Sequence, residues 1–125
     1  MPRTSDLLTR PGDSTPLTPL EREAVTRYAQ RLGEALGGRL ARAILFGSRA
    51  RGEGHEESDL DVAVVVYGAE GHVFRQVSDL AAELNLEYDY AVRLSPLVLS
   101  EETLEDLRRR ERAIARAILE EGILL

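Results

Sequence analysis

The chain has 125 residues, of which 43% are hydrophobic and 30% charged, and its formal net charge is −6. That length suits one domain with a modest core, and the lack of Cys excludes disulfides and thiolate zinc sites. The acidic balance argues against non-specific nucleic-acid binding, which needs a basic face, and no apolar run approaches the roughly 18 residues that cross a bilayer.

No signal-peptide pattern opens the chain, so a cytoplasmic location with no membrane partner is expected. All 16 basic residues are Arg. Residues 1–17, with Pro2, Pro11 and Pro16 among small polar residues, read as a flexible lead-in to a single domain over 18–125. Thr18 then caps a first helix, with Pro19 at its first position and Glu21 completing a capping box. Leu20, Ala24, Tyr28, Leu32 and Ala35 supply its apolar stripe, and Gly37-Gly38 stop it.

Arg39 to Phe46 reads as a first strand, Gly47-Ser48 as a short helical turn, and Gly52 to Ser58 as a polar loop. Leu60 to Val66 (LDVAVVV) is β-branched and almost wholly apolar, as a central buried strand should be. A second helix is predicted over Gly71 to Leu84, facing inward through Val73, Val77, Leu80, Ala81 and Leu84. Alternation over Asn85 to Leu94 predicts a third strand, ended by Ser95-Pro96. Ser100 caps one long final helix whose stripe is Leu104, Leu107, Ile114 and Ile118, stopped by Gly122. The order implies an α/β (α+β) sandwich on a small mixed sheet, with the first two strands antiparallel because their connection is short.

Two carboxylates open the central strand. Residues two apart on a strand share a face, so Asp59 and Asp61 project together and repel unless a cation joins them. Oxygen donors of this kind suit Mg²⁺ or Mn²⁺, which bind through one or two carboxylates and substrate phosphates. Just upstream, Gly47 allows close backbone approach, Ser48 offers a hydroxyl and an N–H, and Arg49 and Arg51 can reach phosphate oxygens. Asp89, between Tyr88 and Tyr90 on the predicted third strand, could face the pair as a third ligand and a base for the acceptor proton.

The run GSRARGEGHEESDLD fits the Gly-Ser-x10-Asp-x-Asp signature, and with it the chain resembles the DNA polymerase beta superfamily of nucleotidyltransferases. Its short length is similar to the minimal nucleotidyltransferase (MNT) group. The resemblance implies the nucleotidyltransferase fold, a small mixed β-sheet flanked by helices. It also implies that Gly47 and Ser48 hold ATP, that Asp59, Asp61 and Asp89 bind Mg²⁺ or Mn²⁺, and that Arg51, with Arg49 a weaker candidate, supports the phosphates. Many relatives of this size resemble antitoxins that move AMP from ATP to a tyrosine of a HEPN-domain ribonuclease toxin. Two other functions compete: a non-catalytic nucleotide- or partner-binding subunit, and an enzyme that modifies a small molecule of the aminoglycoside type. The retained carboxylates favour the first reading over the second, and the little room for an enclosing domain favours it over the third.

Other residues carry less. Glu53, His55, Glu56 and Glu57 read as solvated loop charges, and His72 as a surface residue. Arg108, Arg109, Arg110 and Arg112 read as a salt-bridged solvent face that could instead meet an acidic partner. Tyr28, Tyr67, Tyr88 and Tyr90 are too scattered to form a stacking platform for single strands.

Overall fold

Helix α1 (Pro19–Leu36) begins where the capping box predicts: the Glu21 N–H donates to Thr18 Oγ1 (3.2 Å), and the Thr18 N–H to Glu21 Oε1 (2.9 Å). It ends at Gly37, whose φ of 55° lies in the left-handed region that favours glycine. The stripe is rotated from expectation. Ala24, Val25, Tyr28, Leu32 and Leu36 face inward, whereas Leu20 and Ala35 are exposed, because the inward position of the first turn belongs to Glu21. The structure is a computed structural model that describes residues 16–53, 58–68 and 70–125. Positions 1–15 of the expected lead-in, and His55, Glu56 and Glu57 of the polar loop, lie outside the described residues. Leu17, assigned from the sequence to the lead-in, is buried in the core.

A 3-10 turn leads into β1 (Leu40–Phe46), and a four-residue helix α2 (Ser48–Arg51) follows it. Strand β2 (Leu60–Val66) occupies the predicted residues and pairs antiparallel with β1, Phe46 lying opposite Asp61. Helix α3 (Phe74–Glu87) packs Val77, Ala81 and Leu84 inward. The sheet is completed by β3 (Leu94–Ser100), parallel to β2, and β4 (Ile123–Leu124), antiparallel to β1, in the order β3-β2-β1-β4. Alternation along β2 divides the core between the two faces of this mixed sheet. Leu60, Val62, Val64 and Val66 pack towards α1 and α3, and Ala63 and Val65 towards helices α4 (Glu101–Arg109) and α5 (Ala113–Leu119).

Three expectations need correction. The third strand is Leu94–Ser100, not Asn85–Leu94: α3 runs on to Glu87, and the Asn85 side-chain amide brackets the first residue of β3. Its Oδ1 accepts the Leu94 N–H (2.8 Å) and its Nδ2 donates to the Leu94 carbonyl (3.1 Å). Ser95-Pro96 lies inside β3 rather than ending it, which a sheet-edge strand tolerates because an edge position does not need every N–H. The long C-terminal helix is two helices, broken at Glu111 with a φ of 53°. After the break α5 turns Ala115, Ile118 and Leu119 to the core and leaves Ile114 exposed. Gly122 does more than stop α5: a Cβ there would lie 2.5 Å from Ile44 Cγ2 and clash with the Ile118 carbonyl oxygen, so only glycine lets the chain turn into β4.

Candidate active site

Antiparallel pairing brings the end of β1 beside the start of β2, and so sets Gly47-Ser48 against Asp61. Gly47 is required twice over. Its φ is 82°, and a Cβ on it would meet Asp61 Oδ2 at 2.7 Å. The carboxylate therefore lies in space that only the missing side chain leaves open. Burial raises the Asp61 carboxyl above the usual carboxylate range, and the neighbouring charge of Asp59 adds to this. Among the described residues no hydrogen-bond donor or cation reaches Asp61. Asp59 is more exposed and has a partner in Arg93, whose Nε lies 3.5 Å from Asp59 Oδ1.

Of the predicted phosphate ligands, Arg49 is turned inward. It is 4% exposed and forms a buried ion pair with Glu21 at 2.5 Å, while its Nη1 donates to the Ser58 carbonyl at 3.4 Å. A single guanidinium thus ties the glycine-serine turn to the first turn of α1 and to the residue before Asp59. Burial raises the Glu21 carboxyl, but the hydrogen bond and charge of Arg49 and the Thr18 donors outweigh it and hold Glu21 below its ordinary value. Arg51 is the more available cation: partly exposed, it meets Glu53 at 3.0 Å and Glu121, beyond α5, at 3.4 Å.

Asp89 does not join the pair. It occupies the exposed turn after α3, with a φ of 52°, and its N–H donates to the Leu86 carbonyl. Tyr88 beside it is held by α1, donating to Glu23 (2.7 Å) and accepting from Arg27 (3.1 Å). Among the described residues no three acidic or histidine side chains cluster as a metal site. The residues at the start of β3 that do adjoin the pair are Ser95 and, just before the strand, Arg93: Ser95 stands opposite Asp61 in register, and the Arg93 carbonyl accepts the Leu60 N–H (2.8 Å). Sequence reasoning passed over both, although a strand starting at Leu94 would have exposed them.

The donor set fits one hard divalent cation. Asp59 and Asp61 are both oxygen donors on one face, and the Asp61 oxygen has no partner among the described residues and lies beside a backbone that allows close approach. A mixed sheet between two helix pairs, with a glycine-serine turn closed on paired carboxylates, is the architecture of a nucleotidyltransferase. Residues 25–125 match the nucleotidyltransferase domain family, and the chain belongs to it. Members of that family typically use a nucleoside triphosphate and a divalent metal.

The chain is 37% identical over 106 residues to a Methanocaldococcus jannaschii protein named "Putative protein adenylyltransferase MJ0604", covering 84% of this chain and 97% of the relative. A second protein of that organism, MJ0141, carries the same description and is 34% identical over 77 residues, covering 61% and 76%. A crystal structure described as a toxin-antitoxin with AMP-PNP aligns with a TM-score of 0.48 at 21% identity, over 78% of this chain and 69% of that one. No helix among the described residues is long and apolar enough to cross a membrane.

Proposed function

We propose that this chain is a protein adenylyltransferase that moves AMP from ATP to a hydroxyl, a tyrosine in our reading, of a HEPN-domain ribonuclease, and thereby acts as its antitoxin. One observation carries the chemistry: a carboxylate, Asp61, without a partner among the described residues, occupying the space a Cβ on Gly47 would fill. Asp59 and Asp61 would hold Mg²⁺, which when bound would offset the negative charge of the triphosphate. Gly47 and Ser48 would accept the triphosphate at the turn, and Arg51 would turn from Glu53 and Glu121 to its oxygens. The acceptor oxygen would bond to the α-phosphorus as the α–β bridging bond breaks. Pyrophosphate leaves, and the hydroxyl proton passes to a neighbouring carboxylate or to solvent.

A protein acceptor is supported by the relative that matches over nearly its whole length and by the openness of the site, since the Asp59 side chain is 59% exposed. The antitoxin role and the tyrosine follow from the signature's resemblance to the MNT group. The test is direct: with α-labelled ATP and Mg²⁺, the chain should label the protein encoded beside its own gene, and Asp61→Ala should abolish the label while remaining folded. Equal labelling by Asp61→Ala would show that the site is misplaced. Labelling of an aminoglycoside instead of the protein would move the acceptor to a small molecule.

A further inference from the structure

We infer that this site takes a single divalent cation, and that Arg93 supplies the positive charge where a second ion would sit. The inference rests on the reading of Asp59 and Asp61 as metal ligands and concerns how many ions they hold. A two-ion clamp sets its ions about 3.5–4 Å apart, so two carboxylates must be joined by further anionic ligands from whatever adjoins them. Here the neighbour is β3, parallel to β2, with Leu94 opposite Leu60 and Ser95 opposite Asp61. The side chains beside the pair at that end of the strand are therefore those of Arg93, just before β3, and Ser95, one a cation and the other a neutral hydroxyl.

Arg93 is held in place at both ends. Its carbonyl accepts the Leu60 N–H at 2.8 Å, which fixes its root next to the pair, and its Nε lies 3.5 Å from Asp59 Oδ1. No carboxylate of α3 or its following turn replaces it, because Asp89 is exposed on that turn and forms no cluster with the pair among the described residues. One dication and one guanidinium against two carboxylates leave a net +1 to meet the triphosphate. A second dication would raise this to +3, with like charges packed a few ångströms apart. Arg93 is thus a positioning residue: it orients Asp59 and occupies the place of a ligand that a second ion would need, while Asp61, without a partner among the described residues, is left for the first.

The ion count tests this without relying on activity. The full-length chain is saturated with AMP-PNP, and bound Mn²⁺ is counted by electron paramagnetic resonance and by calorimetry. Wild type should bind one Mn²⁺ per bound nucleotide. Arg93→Asp, which places a carboxylate next to Asp59 just before β3, should bind two. Arg93→Gln should keep one ion and bind it about 3- to 30-fold more tightly, because the competing cation is gone. Two ions in wild type, or no change in affinity in Arg93→Gln, would overturn the inference and leave the site reading intact. No nucleotide-linked Mn²⁺ in wild type would overturn both.

Discussion

Replacing Arg49 with Met should unfold more of this protein than any change at the paired carboxylates Asp59 and Asp61. The substitution keeps the length and most of the apolar stem but removes the one cation that meets Glu21 among the described residues, a carboxylate that is 4% exposed. Breaking a buried pair by deleting one partner costs about 3–5 kcal/mol, since it strands the other charge. The lower end applies here, because the Thr18 N–H still donates to Glu21 Oε1. At ~4 °C per kcal/mol for a domain of this size, the melting temperature should fall by about 12 °C. A domain of this class has about 5–15 kcal/mol in all, so much of its stability would be gone.

The pH dependence has a definite sign. In wild type the Glu21 carboxyl is held low, so its contribution is present above the ordinary carboxylate range and is lost as pH falls through its folded value. In Arg49→Met only the Thr18 hydrogen bonds still oppose burial and the carboxyl rises, so protonation relieves the strain and the gap to wild type narrows as pH falls towards about 4.3. Urea melts at neutral and acid pH measure both quantities. The double variant Glu21→Leu/Arg49→Met should recover all but about 1 kcal/mol, the cost of the lost capping box, and should bind nucleotide within about threefold of wild type. A melting temperature for Arg49→Met within 3 °C of wild type, or a double variant no better than the single, would refute the reasoning; loss of nucleotide affinity in the double variant would return Arg49 to the phosphates.

Asp61→Asn should lower partner labelling by about 10²-fold or more while raising the metal-free melting temperature, since it removes a charge that burial and Asp59 disfavour. Because that carboxyl is raised in the fold, metal-free wild type should gain on the Asn variant as pH falls into the carboxylate range; parallel profiles would refute the assignment. Gly47→Ala should cost about 1–3 kcal/mol from its positive φ, and should displace the Asp61 carboxylate, so that Mn²⁺ affinity falls along with the melting temperature. Asn85→Ala should remove both bonds to Leu94 and cost about 1–3 kcal/mol in a chemical melt, and an unchanged midpoint would show that β3 is held by its ladder alone.

The segments read correctly from the sequence are those whose signals are local. Thr18, Pro19 and Glu21 mark a helix start in any context, and LDVAVVV is too β-branched and apolar for anything but a buried strand. The short link from Phe46 to Leu60 called for an antiparallel pair, and that pair is what brings Gly47 to Asp61. Asn85 to Leu94 misled because its alternation joins two unrelated structures. Leu86 and Tyr90 are exposed while Tyr88 binds α1, so the period of two is the chance sum of a helix end and a turn. Pro96 strengthened the error by resembling a stop, although an edge strand can hold it.

Sequence alone therefore determined the two elements whose meeting makes the site, the glycine-serine turn and the paired aspartates, because residue type and spacing along one short stretch were enough. Tertiary structure decided which charges stand around them. Arg49 turned inward to Glu21, 28 positions earlier in the chain, and Arg93 rather than Asp89 came to face Asp59. Those outcomes depend on where α3 ends and how β3 aligns with β2, and a charge's partner is set by such long-range register, on which local pattern is silent.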